Sequence, residues 1–426
     1  MKKFLALIIA LVMALSLVAC GEQKQPDNPD VPDDGQQTAT VKVGFITLHD
    51  ENSTYDLNFI NAAKEAIANL GLTDADYILK TNVPEGQECY ETAMNLVDEG
   101  CNIIFADSFG HEPYMIDAAK EHPEVQFCHS TGTRAHTENL ANYHNAFASI
   151  YEGRYLAGVA AGLKLNEMIE AGQFTADEAK MGYVGAYTYA EVVSGYTSFF
   201  LGARSVCPTV TMDVTFTGSW YDETLEKEGA EKLIQGGCKL ISQHADSLGA
   251  PTACENAGVP NVSYNGSTKD ACPNTFIVSS RIDWAPYYEM CIKAVMDGTE
   301  IPADWTGTLA TGSVVLTDVN ETAAAAGTAE AIAAATEKLE KGEIHVFDCS
   351  TFTTKVDDKV NTFKADYLKL DETGHITSYM ADVDTDAAYT GDTEVIKDGY
   401  FAESEFRSAP YFDLEIDGIT RLDTKM

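Results

Sequence analysis

The sequence predicts an α/β protein of two Rossmann-like lobes, on three observations. Short apolar segments at 41–48 (VKVGFITL), 77–82, 102–106 (NIIFA) and 125–128 are separated by stretches long enough for helices, the strand–helix alternation of a parallel sheet. The same order recurs at 181–186 (MGYVGA), 212–217, 239–242 (KLIS) and 261–264. A shared fragment follows the third strand of each series, ADSFGHEP at 106–113 and ADSLGAP at 245–251. Parallel sheets form their ligand crevice at the carboxyl ends of the strands, so both lobes turn this loop toward the space between them. The stretch 128–165 is then the crossover from one lobe to the other.

Taken in order, the chain opens with Lys2 and Lys3, an apolar run at 4–15 and LVAC at 17–20, which resembles a bacterial lipobox. The run is too short for an ordinary membrane span and its basic flank suits a signal peptide. Cleavage would leave Cys20 as a lipidated first residue and the mature chain on the outer face of the cell membrane. Residues 21–40, polar and rich in Pro, Asp and Gln, read as a disordered tether. The first lobe is expected at 41–135, with a helix at about 57–70, the crossover and its helix at 136–180, and the second lobe at 181–300. Residues 301–426 hold return strands, a helix and a C-terminal extension. Within this part 297–312 reads as a linker with Trp305 ahead of a strand, and 323–341 as a helix. The remainder is hairpin-rich and packed on a lobe.

Net charge is -38, from 66 acidic and 28 basic residues, a field that disfavours nucleic acid and anionic ligands. Of ten cysteines Cys20 is claimed by the lipobox, and the scattered others are expected to be mostly reduced and buried. There is no G-x-S-x-G elbow, no H-E-x-x-H, no P-loop lysine and no G-x-G-x-x-G after the first strand. His111, His122, His129, His136 and His144 do not share a helix face at metal-ligand spacing. Asp382, Asp384 and Asp386 begin like a calcium loop, but Ala387 and Thr393 occupy its sixth and twelfth positions. No catalytic residue, metal or cofactor is expected.

The candidate ligand residues sit in the crevice loops. After the first strand, HDENSTYD at 49–56 offers Tyr55 and Asp56, the latter equally suited to capping a helix. Ser108 and Phe109 follow the third strand. In the second lobe Trp220 lies in TGSWYD at 217–222, and His244, Asp246 and Ser247 lie in QHADS at 243–247. Asn265 (SYNGS) and Asp283 (RIDWAPYY) follow the fourth and fifth strands. Aromatic planes from both lobes with a few polar groups suit a flat heteroaromatic ligand, stacked on its faces and hydrogen-bonded at its edge.

The segments IYEGRYLAGVAAG at 150–162, KMGYVGAY at 180–187, LGARSVCP at 201–208, SWYDETLEKEGAEKLIQGG at 219–237, SQHADS at 242–247 and DWAPYYEMCIKAVMDG at 283–298 resemble the basic membrane protein family. These substrate-binding lipoproteins deliver purine nucleosides or bases to ABC importers. The resemblance runs from about Val41 onward and is strongest toward the branch associated with free bases such as adenine. It implies a bilobal fold of the periplasmic-binding-protein type I kind with a hinge, a purine ligand, ABC permease partners and a monomer, and GEIHVFD at 342–348 resembles the family's late strand. It places the family's stacking aromatics on Tyr55 and Trp220, its next polar position on Asp56, and the acidic residue for ribose hydroxyls on Asn265. An amide there lacks the charge-assisted acceptor, which favours a base over a nucleoside. An enzyme acting on nucleosides and a receptor subunit for signalling are the alternatives from other classes.

The lipobox reading has a direct consequence. Cys20→Ser removes the only thiol that can carry the thioether-linked diacylglyceryl group, so metabolic labelling with palmitate should be lost and the protein should appear as precursor or in the medium. Labelling and membrane retention equal to wild type would refute the anchor.

Overall fold

The computed structural model describes residues 40–357, 359–383, 391 and 393–425. Cys20, the tether up to residue 39, and Asp384, Asp386 and Ala387 lie outside the described residues. In the first lobe β1 (Val43–Ile46), β2 (Tyr77–Lys80), β3 (Ile103–Ala106), β4 (Gln126–Ser130) and β5 (Tyr143–Ala148) alternate with α1 (Thr54–Asn69), α2 (Gln87–Asp98), α3 (Glu112–Glu121) and the short α4 (Ala135–Glu138). After the long α5 (Ile150–Glu170) the second lobe runs β6 (Lys180–Gly185), α6 (Ala190–Val206), β7 (Thr211–Phe216), α7 (Glu223–Gln235), β8 (Leu240–Gln243), α8 (Gly249–Ala257), β9 (Asn261–Tyr264) and β10 (Phe276–Ile282). Both sheets share the strand order 2-1-3-4-5, as β2-β1-β3-β4-β5 and β7-β6-β8-β9-β10, and these neighbours pair in parallel. Strands such as β1, β3 and β8 are buried along their whole length. That burial is why they read as continuous apolar runs and not as alternating ones.

Several expected boundaries differ, each for a packing reason. The first sheet extends past residue 135, because β5 pairs with β4 beyond the point where the crossover was expected. Helix α9 (Ala285–Asp297) falls in the stretch expected for the second lobe, yet Trp284, Tyr287 and Tyr288 are buried with Phe45, Phe59 and Phe105 of the first. Trp305 lies inside β11 (Asp304–Gly307), not ahead of a strand, and β11 pairs with β5 at the edge of the first sheet. The chain then returns to the second sheet through β12 (Val314–Leu316), antiparallel to β10. The helix expected over 323–341 is α10 (Thr328–Glu340). GEIHVFD forms no strand: Val346 and Phe347 fill the second-lobe core, and only Asp348 makes a bridge, to Tyr400.

The extension is built from β13 (Leu368–Leu370), β14 (Ile376–Ala381), β15 (Thr393–Glu394), β16 (Ile396–Lys397) and β17 (Tyr400–Phe401), paired antiparallel, and from β18 (Ile419–Arg421), which adds to β7. Its Phe352, Tyr379, Phe401, Tyr411 and Phe412 join the second-lobe core. The nine described cysteines are free and buried.

The chain passes between lobes at Ser149, Asp283 and the turn before β12. These segments are laced together, with Ser149 N donating to Gly307 O at 2.8 Å and Asp283 N to Ser313 O at 2.7 Å. Adjacent crossings of this kind form a hinge.

Helices α5 and α6 pack at unusually short range, through the glycines of GRYLAGVAAG and LGARS. A methyl group on Gly158 would fall 2.0 Å from Phe199 O, and one on Gly202 would fall 2.0 Å from Tyr155 O. Gly158→Ala or Gly202→Ala should therefore push backbone against backbone and destabilise by about 1–3 kcal/mol or more. Thermal melting checks this; an unchanged transition in both variants would remove the close-approach explanation.

Candidate functional site

A cavity of about 200 Å³ lies where the carboxyl ends of the two sheets face one another. The strand order of each sheet reverses there, since β1 and β3, like β6 and β8, are neighbours whose connections leave to opposite sides. The cleft is closed around this cavity. Thr54 N and Oγ1 both donate to Asp246 O, at 3.1 and 3.2 Å, so a second-lobe carbonyl satisfies the first amide of α1. Phe109 and Tyr189 meet across the cleft with centroids 5.3 Å apart, and His49 and Tyr221 at 5.4 Å.

On the first-lobe side Ser53 caps α1, its hydroxyl accepting from Asp56 N and donating to Asp56 Oδ2 at 2.6 Å. The Asp56 carboxylate also accepts from His49 N at 2.7 Å and lies 3.3 Å from His49 Nδ1. It is buried and still lines the cavity. Tyr55 is fixed by its hydroxyl, which donates to Asp107 O at 2.6 Å, and by an edge contact with Phe59 at 4.8 Å. Asp107 matches Asp246 in the repeated ADS fragment, but its carboxylate turns inward and accepts from Leu48 N.

On the second-lobe side Tyr187, Tyr189 and Trp220 form an aromatic group, with Tyr187 and Trp220 edge to face at 5.0 Å. Behind it runs a polar chain. Arg154, 1 % exposed, lies over the Tyr264 ring at 3.2 Å and donates to Gln243 O and to His244 Nδ1, each at 3.0 Å. An arginine can only donate, so His244 accepts at Nδ1 and its Nε2–H faces Glu191 Oε2 at 2.8 Å. Asp246 is held above the usual carboxylate range, first by burial and then by Asp56, Glu226 and Glu191. Glu226, pushed up to about 7 mainly by burial, accepts from Ser247 N and Asp222 N.

Thr131 adds a signal of another kind. Its φ is +74°, a conformation that a β-branched residue rarely adopts, and its buried Oγ1 has no protein partner although the residue lines the cavity.

Of the residues singled out in the sequence, Tyr55, Asp56, Ser108, Phe109, Trp220, His244 and Asp246 line this cavity, and Ser247, Asn265 and Asp283 do not. Ser247 holds the start of α8, its hydroxyl accepting from Gly249 N at 3.0 Å. Asn265 stands behind Asp246, its amide donating to Oδ1 at 3.4 Å. Asp283, just ahead of α9, accepts from Ala285 N, the first residue of that helix, at 3.1 Å. The cavity also takes Thr131, Thr133, Phe147, Tyr189, Glu191 and Arg407, which sequence reasoning did not select. Arg154, behind them, sat in the quoted GRYLAG motif without a role; a lone arginine inside an apolar helix was the available signal.

A family model described as ABC transporter substrate-binding protein, PnrA-like, matches residues 44–348. A purine-binding protein of Brucella abortus is 33% identical over 262 residues, covering 61% of this chain and 70% of its own length. A putative ABC transporter glucose-binding protein of Haloferax volcanii is 31% identical over 258 residues, covering 60% of this chain and 62% of its own. Among solved structures, an ABC transporter solute-binding protein from Conexibacter woesei superposes with a TM-score of 0.59 at 20% identity, over 72% of this chain and 98% of that one.

Asp246 yields a pH prediction. Its folded-state pKa is raised, so the folded protein binds the proton more tightly than the unfolded chain does. The destabilisation is absent below the ordinary aspartate value of about 3.9 and grows as pH rises above it. Asp246→Asn should therefore melt higher than wild type near neutral pH in the ligand-free state, with the difference shrinking toward pH 4. A variant that melts lower at neutral pH would contradict the assigned burden.

Proposed function

We propose, for a chain that belongs to the PnrA-like family of ABC transporter substrate-binding proteins, that the closed cleft captures a purine base, with adenine favoured, and delivers it to an ABC importer. The family and the fold are those of solute-binding proteins, which work outside the cytoplasm with membrane permeases. No helix among the described residues is long and apolar enough to cross a membrane. Anchoring through a lipid on Cys20, and action as a monomer, complete the proposal.

The observation that carries the ligand class is a small cavity combining rings from both lobes, Tyr55 and Phe109 from one and Tyr189 and Trp220 from the other, with the carboxylates of Asp56 and Asp246. Rings take the faces of a planar heterocycle. Buried carboxylates accept from ring N–H or exocyclic amine groups, and the lone Thr131 hydroxyl can donate to a ring nitrogen. A base supplies all three at its edge. The placement of Asn265 behind Asp246, away from the lining, favours it over a nucleoside.

Calorimetry with adenine, guanine, adenosine and glucose tests this reading. Adenine should bind most tightly. Tyr55→Ala and Trp220→Ala should each weaken it roughly tenfold or more, from lost stacking of about 0.5–1.5 kcal/mol and apolar burial at about 25 cal/mol per Å². Cys101→Ala, far from the cavity, should not. Tight glucose binding with no purine binding would overturn the assignment.

A further inference from the structure

The family match ends at residue 348, yet Arg407, Ala409 and Pro410 line the cavity. We propose that the loop 403–411 of the C-terminal extension is a third wall of the binding cleft and sets the size of its ligand, admitting an unsubstituted ring system and excluding one that carries a sugar. The proposal rests on the purine reading for the identity of the ring, and on the loop's geometry for everything else.

The loop is rigid. At its neck the Glu403 carboxylate, 4 % exposed, accepts from Tyr411 N at 3.2 Å and Phe412 N at 2.9 Å. Arg407, buried, donates to Val383 O, Ala409 O and Pro410 O at 3.0, 3.1 and 3.3 Å. It thus pins the loop's own carbonyls to a neighbouring segment. The flanks are set in aromatic packing, with Phe347 and Phe412 stacked at 4.3 Å and Phe401 against Phe412 at 4.9 Å.

The loop also reaches past the lobe that carries it. Ser408 N donates to Asp304 Oδ2 at 2.7 Å and Thr306 Oγ1 to Ser404 O at 3.4 Å, both on the edge strand β11 of the first sheet. Tyr151, on the crossing helix α5, donates to Glu403 O at 3.1 Å. A wall fixed to the second-lobe core, the crossover and the first-lobe edge cannot retreat to make room for a larger ligand while the cleft is closed. Arg407 both ties the loop and lines the cavity beside Ala409 and Pro410.

Two variants of the full chain push in opposite directions. Ala409→Phe adds bulk at the wall and should weaken adenine at least about tenfold, the scale on which fixed pockets discriminate size, without lowering the melting temperature. Arg407→Ala combined with Pro410→Gly should loosen the wall and raise the affinity for adenosine relative to adenine by about tenfold or more. Adenine affinity unchanged by Ala409→Phe, or an adenosine-to-adenine ratio unchanged in a folded double variant, would overturn the proposal. A wild-type protein that binds neither compound would defeat the purine reading and leave the wall to a ligand-independent readout. In a Trp305→Phe background, with Trp284 buried, acrylamide quenching of Trp220 in the ligand-free protein should rise in the double variant and fall in Ala409→Phe. Quenching indifferent to both would dispose of the wall itself.

Discussion

The constraint on which this structure turns is the presence of two buried carboxylates, Asp56 and Asp246, on opposite sides of one closed cleft. Opposed like charges away from water repel, and each has lost hydration. The protein offsets this locally for Asp56, which receives hydrogen bonds from Ser53 Oγ and His49 N. For Asp246 the nearest donor, the Asn265 amide at 3.4 Å, is a weak one, while the same residue's backbone carbonyl is committed to Thr54 across the cleft. Closure therefore brings an under-satisfied acceptor against a ring-lined cavity. On the proposed reading, a ligand with N–H donors at its edge would relieve that burden and so give the closed state its differential affinity for ligand.

The scaffold delivers the acceptors because each lobe repeats the same strand order and places its loops at the reversal point. Small side chains then let the layers approach: Gly158 and Gly202 seat α5 against α6, and α5 presents Arg154 to His244. The guanidinium fixes the imidazole tautomer, which turns Nε2–H toward Glu191. Arg154 reaches the site through His244, and its effect there is orientation. The extension beyond the duplicated lobes adds buried aromatic surface to the second-lobe core and a tied loop to the cavity.

The fold was legible in the sequence because fully buried parallel strands leave short apolar runs, and the duplicated ADS fragment marked the loops at the strand ends. What misled was any segment whose burial comes from a partner distant in sequence. GEIHVFD reads as a strand because Val346 and Phe347 enter a core shared with the extension, where the segment meets β17 through a single bridge, Asp348 to Tyr400. Helix α9 follows the last parallel strand of the second lobe but buries its aromatic face on the first, and periodicity does not say which sheet a helix covers. In the site, Asp283 and Ser247 carry the residue types of a polar pocket and instead hold the first backbone N–H of the helices that follow them. Arg407 had no local pattern to announce it, since it holds backbone carbonyls of its own loop and of Val383, a segment distant in sequence. Thr131 is marked by its backbone angle and its unpartnered buried hydroxyl, neither of which a sequence displays.

The central claim is that the closed cleft is shaped around a purine base, whose N–H groups answer Asp56 and Asp246 while its faces meet the rings. The most direct measurement is mass spectrometry of the small molecule released when protein purified without added ligand is unfolded. The account predicts a free purine base, lost when Asp246→Asn is purified in the same way. Recovery of a hexose, or of any saturated compound with no ring to stack, would contradict it.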